Sequence, residues 1–469
     1  MKLIIRNLGR LSSATIDLDA TLTVFAGRNN TSKTYVAHVI YGLYRYAREY
    51  IAQFVRPSVL ESSNATRWEI DLERFVGTSI DVLAKGISDH LRARLPSIFA
   101  TASDFFNNTT ISLECDEGDR ERIRARILDY ATSIGYQTSD SVRWESKKRA
   151  GSFAVSLERL PPPELESTSS TGREGPQESD QSLSFFGFVI ADIIGNALLP
   201  SSRSTFVLST ERSAIQLFFR ELFANRSAMV DVVLEEPKPE SVSQIQARAR
   251  LYPLVIRDGL RMAMQTRPIS GSGRQQPTRL APLAEKVEKL IGGEVRVAEN
   301  NELTFVPAGS DRTLDLQLSS SSVKSLAALV HFLRTQARSG GFLLIDEPEL
   351  NLHPDNQRKV TRILTEVVRQ GVNVLITTHS DYVLRELDHL VQLNDERARS
   401  LRDKFGYTES ETISPSLVGA YIFEESTTRQ LDVSQAGIEV ETIDAEINAL
   451  NKISKELYFA LNTTVKKPA

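Results

Sequence analysis

Two adjacent carboxylates, Asp346 and Glu347, close the apolar run Phe342-Leu343-Leu344-Ile345 and are followed by Pro348. A run apolar on both faces is the pattern of a central parallel strand, and ligands in such sheets bind at the carboxyl ends of the strands. In that position Asp346 would hold Mg²⁺, and Glu347 would position and polarise a water molecule. Far upstream, Gly27-Arg28-Asn29-Asn30-Thr31-Ser32-Lys33-Thr34 separates an apolar β-rich run, residues 21–26, from a helical pattern that begins near Lys33. That is the setting of a phosphate cradle. Backbone N–H groups and the helix N-terminus face the anion, Lys33 reaches the β- and γ-phosphates, and the Thr34 hydroxyl ligates Mg²⁺. Ser32 stands where glycine is usual, and serine carries a cost for any positive φ there. Each stretch alone also has a plainer reading, a polar turn capping a helix or solvated acids at a strand exit. The two together point to a site for a nucleoside triphosphate.

Two further stretches fit such a site. Thr377-Thr378-His379-Ser380 ends the next strand-like run, one crossover on, so His379 would point at the γ-phosphate. Upstream, Ser320, Ser321 and Ser322 precede an apolar-periodic helix and gather hydroxyl and N–H donors at its N-terminus, a place for an anion or a plain serine cap.

The elements that must position these residues follow from periodicity. Strands are expected at 2–8, 14–18, 21–26, 205–208, 342–345, 373–377 and 417–423, and helices at 33–54, 323–337, 354–369 and 442–461. The unit from 342 to 377 is a βαβ pattern and implies a parallel sheet. Residues 294–306, with Asn300-Asn301 between apolar runs, suggest a hairpin. Residues 161–182 are rich in Pro, Ser, Glu and Gly with few bulky apolar side chains, which predicts a mobile loop. A second breaker-rich linker spans 268–277.

The chain has 469 residues, 41% of them hydrophobic and 25% charged, which fits a soluble protein of several domain-sized units. A formal net charge of −4 gives no overall attraction to nucleic acid or to an anionic membrane. The single cysteine, Cys115, excludes an internal disulfide and suits a reducing cytoplasm. The most apolar stretch, residues 185–199, is interrupted by Asp192 and Asn196 and is shorter than the ~20 residues of a membrane span, so it reads as a core helix.

Together these motifs resemble the ABC-type ATPases, in the AAA branch near SMC proteins and OLD-family ATPases. The octet Gly27 to Thr34 is similar to that branch's Walker A, which carries the Asn-Asn pair. Leu344-Ile345-Asp346-Glu347-Pro348-Glu349-Leu350-Asn351-Leu352-His353-Pro354 is similar to its Walker B and the loop after it, and Thr378-His379-Ser380 to its switch histidine. Ser320-Ser321-Ser322-Val323-Lys324-Ser325-Leu326 aligns with the ABC signature, with serines in place of its glycine pair. Ser209-Thr210-Glu211-Arg212-Ser213 is similar to a Pro-Ala-Glu-Arg-Ser segment of the branch, which implies that Glu211 and Arg212 line the site.

The resemblance implies an α/β fold, an ABC-type ATPase head with a mixed or parallel sheet flanked by helices and split by a long α+β insertion. It divides the chain into residues 1–55 and 201–395 as the two halves of the head. A mainly helical insertion occupies 56–200, and a strand-helix extension at 396–469 offers a partner interface. It also implies ATP and Mg²⁺, hydrolysis served by Glu347, His379 and Lys33, and two heads paired head-to-tail with Ser320, Ser321 and Ser322 completing the partner's ATP site. OLD-family proteins continue into a Toprim nuclease carrying an Asp-x-Asp pair, and no such pair follows His379. A head of this kind resembles the ATPase components of the PARIS and Septu anti-phage systems. That implies a cytoplasmic sensor and scaffold for a separately encoded nuclease or toxin, with a phage protein as trigger. Two other readings stay open. One is a DNA-repair or chromosome-maintenance ATPase binding DNA through Arg143, Lys147, Lys148 and Arg149 around Trp144, or through Arg248, Arg250, Arg257 and Arg261. The other is a non-hydrolysing ATP-dependent structural protein, suggested by Ser32 and the serine-rich signature.

Overall fold

The computed structural model describes residues 1–60, 63–64, 67–73, 76, 79–137, 143–160, 176–221, 252–266, 277–439 and 441–462. Its centre is a six-stranded sheet in the order Thr205–Leu208, Phe342–Asp346, Asn373–Thr378, Leu22–Gly27, Val418–Phe423, Thr428–Gln430. The first five strands are mutually parallel and the sixth is antiparallel. The fold is α/β.

Alternation along each strand feeds two cores, one on each face of this sheet. Phe25, Phe342, Leu344, Leu375, Tyr421 and Phe423 face one side. There the sheet is covered by the helix Lys33–Leu60, whose Tyr44 stacks on Phe342 with ring centroids 4.3 Å apart. Leu22, Val24, Leu343, Ile345, Val374 and Ile376 face the other side. Their cover includes the helices Ser321–Thr335, Pro354–Arg369 and Asp381–Gln392. The strands are therefore apolar throughout because both faces are buried, as expected of parallel strands.

All but the last residue of the apolar stretch 185–199 lies in the helix Pro176–Leu198, packed against the Lys33–Leu60 helix. Its two polar interruptions are satisfied inside the protein. Asp192 binds Arg48 and Arg203, and Asn196 Oδ1 accepts from Arg48 Nη2 at 2.7 Å. Among the described residues no helix is long and apolar enough to cross a membrane.

The stretch between the two halves of the head holds more than the sequence predicts, and one expectation is corrected. In residues 56–200 the helices Ile80–Phe99, Glu117–Asp129 and Pro176–Leu198 are accompanied by a five-stranded antiparallel sheet. A sixth strand of that stretch, Thr110–Glu114, joins the hairpin of Lys2–Leu8 and Leu11–Asp17, so the insertion is stitched into the N-terminal segment. The mobile loop at 161–182 is not one unit. Residues 176–182 begin a helix, with Pro176 at its start, where a fixed φ and a missing N–H cost nothing. Residues 161–175 lie outside the described residues, as does nearly all of the linker at 268–277.

Candidate functional site

Five carboxyl ends of parallel strands form one rim of the central sheet, and the chemistry expected from the sequence gathers there. The strand Leu22–Gly27 ends in the phosphate loop, while Phe342–Asp346 ends in the acid pair. Asn373–Thr378 lies between them and delivers His379. Two strand spacings, about 10 Å, separate loop from acids at backbone level. The Lys33–Leu60 helix crosses that gap. Thr34 Oγ1 donates to Asp346 Oδ1 at 3.3 Å, joining residues 312 positions apart.

The loop bends sharply because three of its residues have positive φ: Gly27 at 133°, Asn30 at 64° and Ser32 at 70°. Gly27 is required. A Cβ there would lie 2.3 Å from the Phe423 carbonyl oxygen of the neighbouring strand. Ser32 takes the left-handed conformation that glycine adopts freely, at about 1 kcal/mol or more for an L-residue. Thr31 is buried and its Oγ1 donates to Arg28 O at 2.8 Å, pinning the loop, whereas Arg28, Asn29 and Asn30 are exposed. Val36 N–H closes the first helical turn on Ser32 O, and earlier N–H groups of the turn have no intrahelical acceptor.

Lys33 is buried in the loop's hollow. Its Nζ donates to Gly27 O at 2.9 Å and to Arg28 O at 2.7 Å, and lies 3.5 Å from His379 Nδ1. Burial pushes its pKa down to about 8, against the pull of Glu347, Asp346 and Glu349. Asp346 is buried, and Thr377 Oγ1 donates to its Oδ1. Glu347 is half-buried and has φ 51°. Burial, then the charges of Asp346 and Glu349, raises its pKa, which favours a carboxylate able to take a proton. His379 Nε2 lies 3.7 Å from Glu347 Oε1. Burial and the Lys33 ammonium lower the histidine's pKa, so it is neutral at physiological pH.

The donor set suits Mg²⁺: one hydroxyl and one buried carboxylate, side by side, with phosphate oxygens and water to fill the remaining positions of an octahedron. Thr34 and Asp346 would hold it. Bound there, the ion would neutralise phosphate charge.

The remaining expected residues are placed differently. Ser320 caps the helix Ser321–Thr335 at its exposed end, accepting from Val323 N at 3.4 Å, and its Oγ lies 2.9 Å from Ser322 Oγ. Ser321 is exposed beside them. Ser320 is likewise exposed and Ser322 partly buried, and their hydroxyls make no hydrogen bond to residues 27–34 among the described residues. Glu211 is exposed at the start of the helical stretch 212–221. Arg212 is buried and meets the site through the backbone, donating to Asp346 O and Glu347 O, with its other bonds to Ser209 O and Ser325. The basic run around Trp144 is divided, with Arg143, Lys147 and Arg149 exposed and Trp144 and Lys148 buried. Trp144 packs on Trp68, Lys148 Nζ is buried against Tyr130 O at 2.7 Å, and Lys147 pairs with Glu145. Arg257 binds Ser97 O at 2.8 Å and Arg261 pairs with Asp258, while Arg248 and Arg250 lie outside the described residues.

Two residues of the site escaped the sequence reading. Glu349 Oε1 accepts from the His379 backbone N–H and from Thr378 Oγ1, both at 2.8 Å, and so fixes the turn carrying the histidine. Thr377 holds Asp346 through its hydroxyl, and its carbonyl oxygen accepts from Glu347 N at 3.1 Å. Their signals were a third acid within the Asp346–Glu349 run and the doubled threonine before His379.

Residues 196–385 match the family described as "AAA domain, putative AbiEii toxin, Type IV TA system". The chain is 34% identical over 71 residues to the cell division ATP-binding protein FtsE from two strains of Streptococcus pneumoniae. That match spans 14% of this chain and 30% of the length of those relatives. Among solved structures, the Smc head domain of Pyrococcus furiosus, with an extended coiled coil and bound to the C-terminal domain of ScpA, has a TM-score of 0.33 at 12% identity, covering 97% of this chain and 98% of that one. The SMC head domain of Thermotoga maritima has a TM-score of 0.31 at 10% identity, covering 92% and 98%. The α/β architecture rests on the strand order above and not on these likenesses. The family match is to an AAA domain and the FtsE similarity to an ATP-binding protein.

Proposed function

We propose, from an AAA domain whose acid pair meets a phosphate loop, that this chain is an ABC-type head that binds and hydrolyses ATP. The observation that carries the reading is the 3.3 Å contact between Thr34 Oγ1 and Asp346 Oδ1. It joins a cation-binding hydroxyl next to the phosphate-binding lysine with the carboxylate at the exit of a buried strand two places away in the sheet. In this reading Gly27 to Thr34 wrap the phosphates and Lys33 balances their charge. Thr34 and Asp346 hold Mg²⁺, and Glu347 takes the proton of the attacking water. His379, neutral and beside Lys33, faces the terminal phosphate.

The exposed serines at the N-terminus of the Ser321–Thr335 helix would serve the ATP of a second head, so that nucleotide favours a closed pair and hydrolysis releases it. We further propose that this switch holds and releases a separately encoded nuclease or toxin in anti-phage defence. The description of the matched family, a toxin of a toxin–antitoxin system, is in keeping with that role. The DNA-binding alternative would rest on the exposed Arg143, Lys147 and Arg149, since Trp144 and Lys148 are buried.

The test is nucleotide binding and single-turnover hydrolysis by Lys33→Ala and Glu347→Gln. Lys33→Ala should lose most of its ATP affinity. Glu347→Gln should keep ATP, hydrolyse it at least ~10²-fold more slowly, and accumulate the closed assembly. Ordinary turnover by Glu347→Gln removes the base assignment, and unchanged binding by Lys33→Ala removes the loop assignment.

A further inference from the structure

Arg212 is a buried cation without a carboxylate in hydrogen-bond contact, and its five hydrogen bonds run to three separate segments. Nε donates to Ser325 O at 3.1 Å and to Ser325 Oγ at 3.2 Å. Nη1 donates to Ser209 O at 3.0 Å and Asp346 O at 2.8 Å, and Nη2 to Glu347 O at 2.8 Å. Ser325, itself buried, passes the connection on, because its Oγ donates to Leu350 O at 2.9 Å. Leu350 N in turn donates to Glu347 O at 3.1 Å. Arg212 and Ser325 thus grip both ends of the turn Glu347–Leu350 and tie it to the first turns of the serine-headed helix.

Such an arrangement is a poor way to gain stability. A cation taken from water and given only neutral acceptors in direct contact carries a large desolvation cost, and an apolar side chain of similar volume would fill the space without it. Burial lowers the Arg212 pKa to about 10, so the group stays charged at neutral pH. What the guanidinium supplies is geometry. Its planar fork aims N–H groups in fixed directions at several carbonyls together, which an ammonium on a single carbon cannot do. The carbonyl it fixes belongs to Glu347, whose φ of 51° is a conformation that a non-glycine residue holds only when its surroundings enforce it.

We propose that Arg212 is a positioning residue that sets the peptide plane of Glu347 and couples it to the serine helix Ser321–Thr335, so that a change at the hydrolytic glutamate is felt at Ser320–Ser322. Hydrogen bonds alone carry the coupling and no covalent step is involved. Only its kinetic consequence rests on the hydrolytic reading of Glu347.

The experiment compares the full-length wild type with Arg212→Lys and Ser325→Ala. Amide hydrogen exchange without nucleotide comes first. In Arg212→Lys, segments 347–352 and 320–326 should both lose protection by about tenfold or more, while segment 36–44 of the phosphate-loop helix keeps it. Ser325→Ala, a milder change, should raise exchange in 347–352 without a general loss of protection. Single-turnover hydrolysis by Arg212→Lys should fall by a similar factor with ATP affinity within about twofold of wild type, a split that mere loss of fold would not produce. Unchanged exchange in either segment of Arg212→Lys, a loss spread evenly over the central sheet, or unchanged 347–352 exchange in Ser325→Ala overturns the coupling. If both segments loosen but the wild type does not hydrolyse ATP, the coupling stands and the hydrolytic reading of Glu347 falls.

Discussion

Raising the pH from 7 to 9 should weaken triphosphate binding about tenfold, through Lys33. Its ammonium is buried under the loop carbonyls, and burial has brought its pKa down to about 8. If only the charged lysine accepts the phosphates, the competent fraction of the free protein is about 90% at pH 7 and about 10% at pH 9. The terminal phosphate loses its last proton nearer pH 6, and His379, held neutral by burial and by Lys33, stays uncharged across the window. Bound phosphate pulls the lysine pKa upward, so binding near pH 8 should take up about half a proton. Isothermal titration in two buffers of different protonation enthalpy measures both quantities. Lys33→Arg, always charged, should bind with a flat profile whatever its absolute affinity. An affinity constant to within twofold from pH 7 to 9, with no proton uptake, would refute the assignment of Lys33 to the phosphates. The sign for stability is opposite to that of a lysine gaining a partner. Between pH 8 and the ordinary lysine value of 10.5 the unfolded chain binds more protons than the native one, so the unliganded protein should gain stability as pH rises through that range.

Other expectations concern the loop backbone. Ser32→Gly removes a left-handed L-residue at a cost in unfolded-chain freedom, so a net gain of ~0.5–1 kcal/mol is expected in urea unfolding; a loss of stability would mean that the Ser32 side chain holds the loop. Gly27→Ala drives a methyl group into the Phe423 carbonyl oxygen and should destabilise by about 3 kcal/mol or more, with ATP binding abolished. A Gly27→Ala protein melting within a few degrees of wild type would show that the two strand ends can part freely. Thr34→Val keeps the shape of the side chain but removes its hydroxyl, so ATP binding should lose its dependence on Mg²⁺ while binding without metal persists; an unchanged response to Mg²⁺ titration would exclude Thr34 as a ligand.

What could be read from the chain alone was chemistry that depends on short segments. A strand apolar on every residue announces burial on both faces, and Asp346 and Glu347 announce where it must emerge, because carboxylates leave a core unless they are paired. The Gly27 to Thr34 stretch announces a strand-to-helix turn by composition, and Ser320 a helix cap by its hydroxyl. Tertiary structure decided everything that depends on which strand lies beside which. Asn373–Thr378 stands between the loop strand and the acid strand, and this order lets Thr377 hold Asp346 and brings Glu349 to the His379 turn. It buried Trp144 and Lys148, which a local window reads as a basic surface, and joined Thr110–Glu114 to the N-terminal hairpin. It also made Arg212 an internal brace, while the adjacent Glu211 faces water. The physical reason is the same in each case. Residue type and periodicity are local properties, whereas burial of a charge depends on acceptors supplied by distant segments, and no local pattern records which segment will bring them.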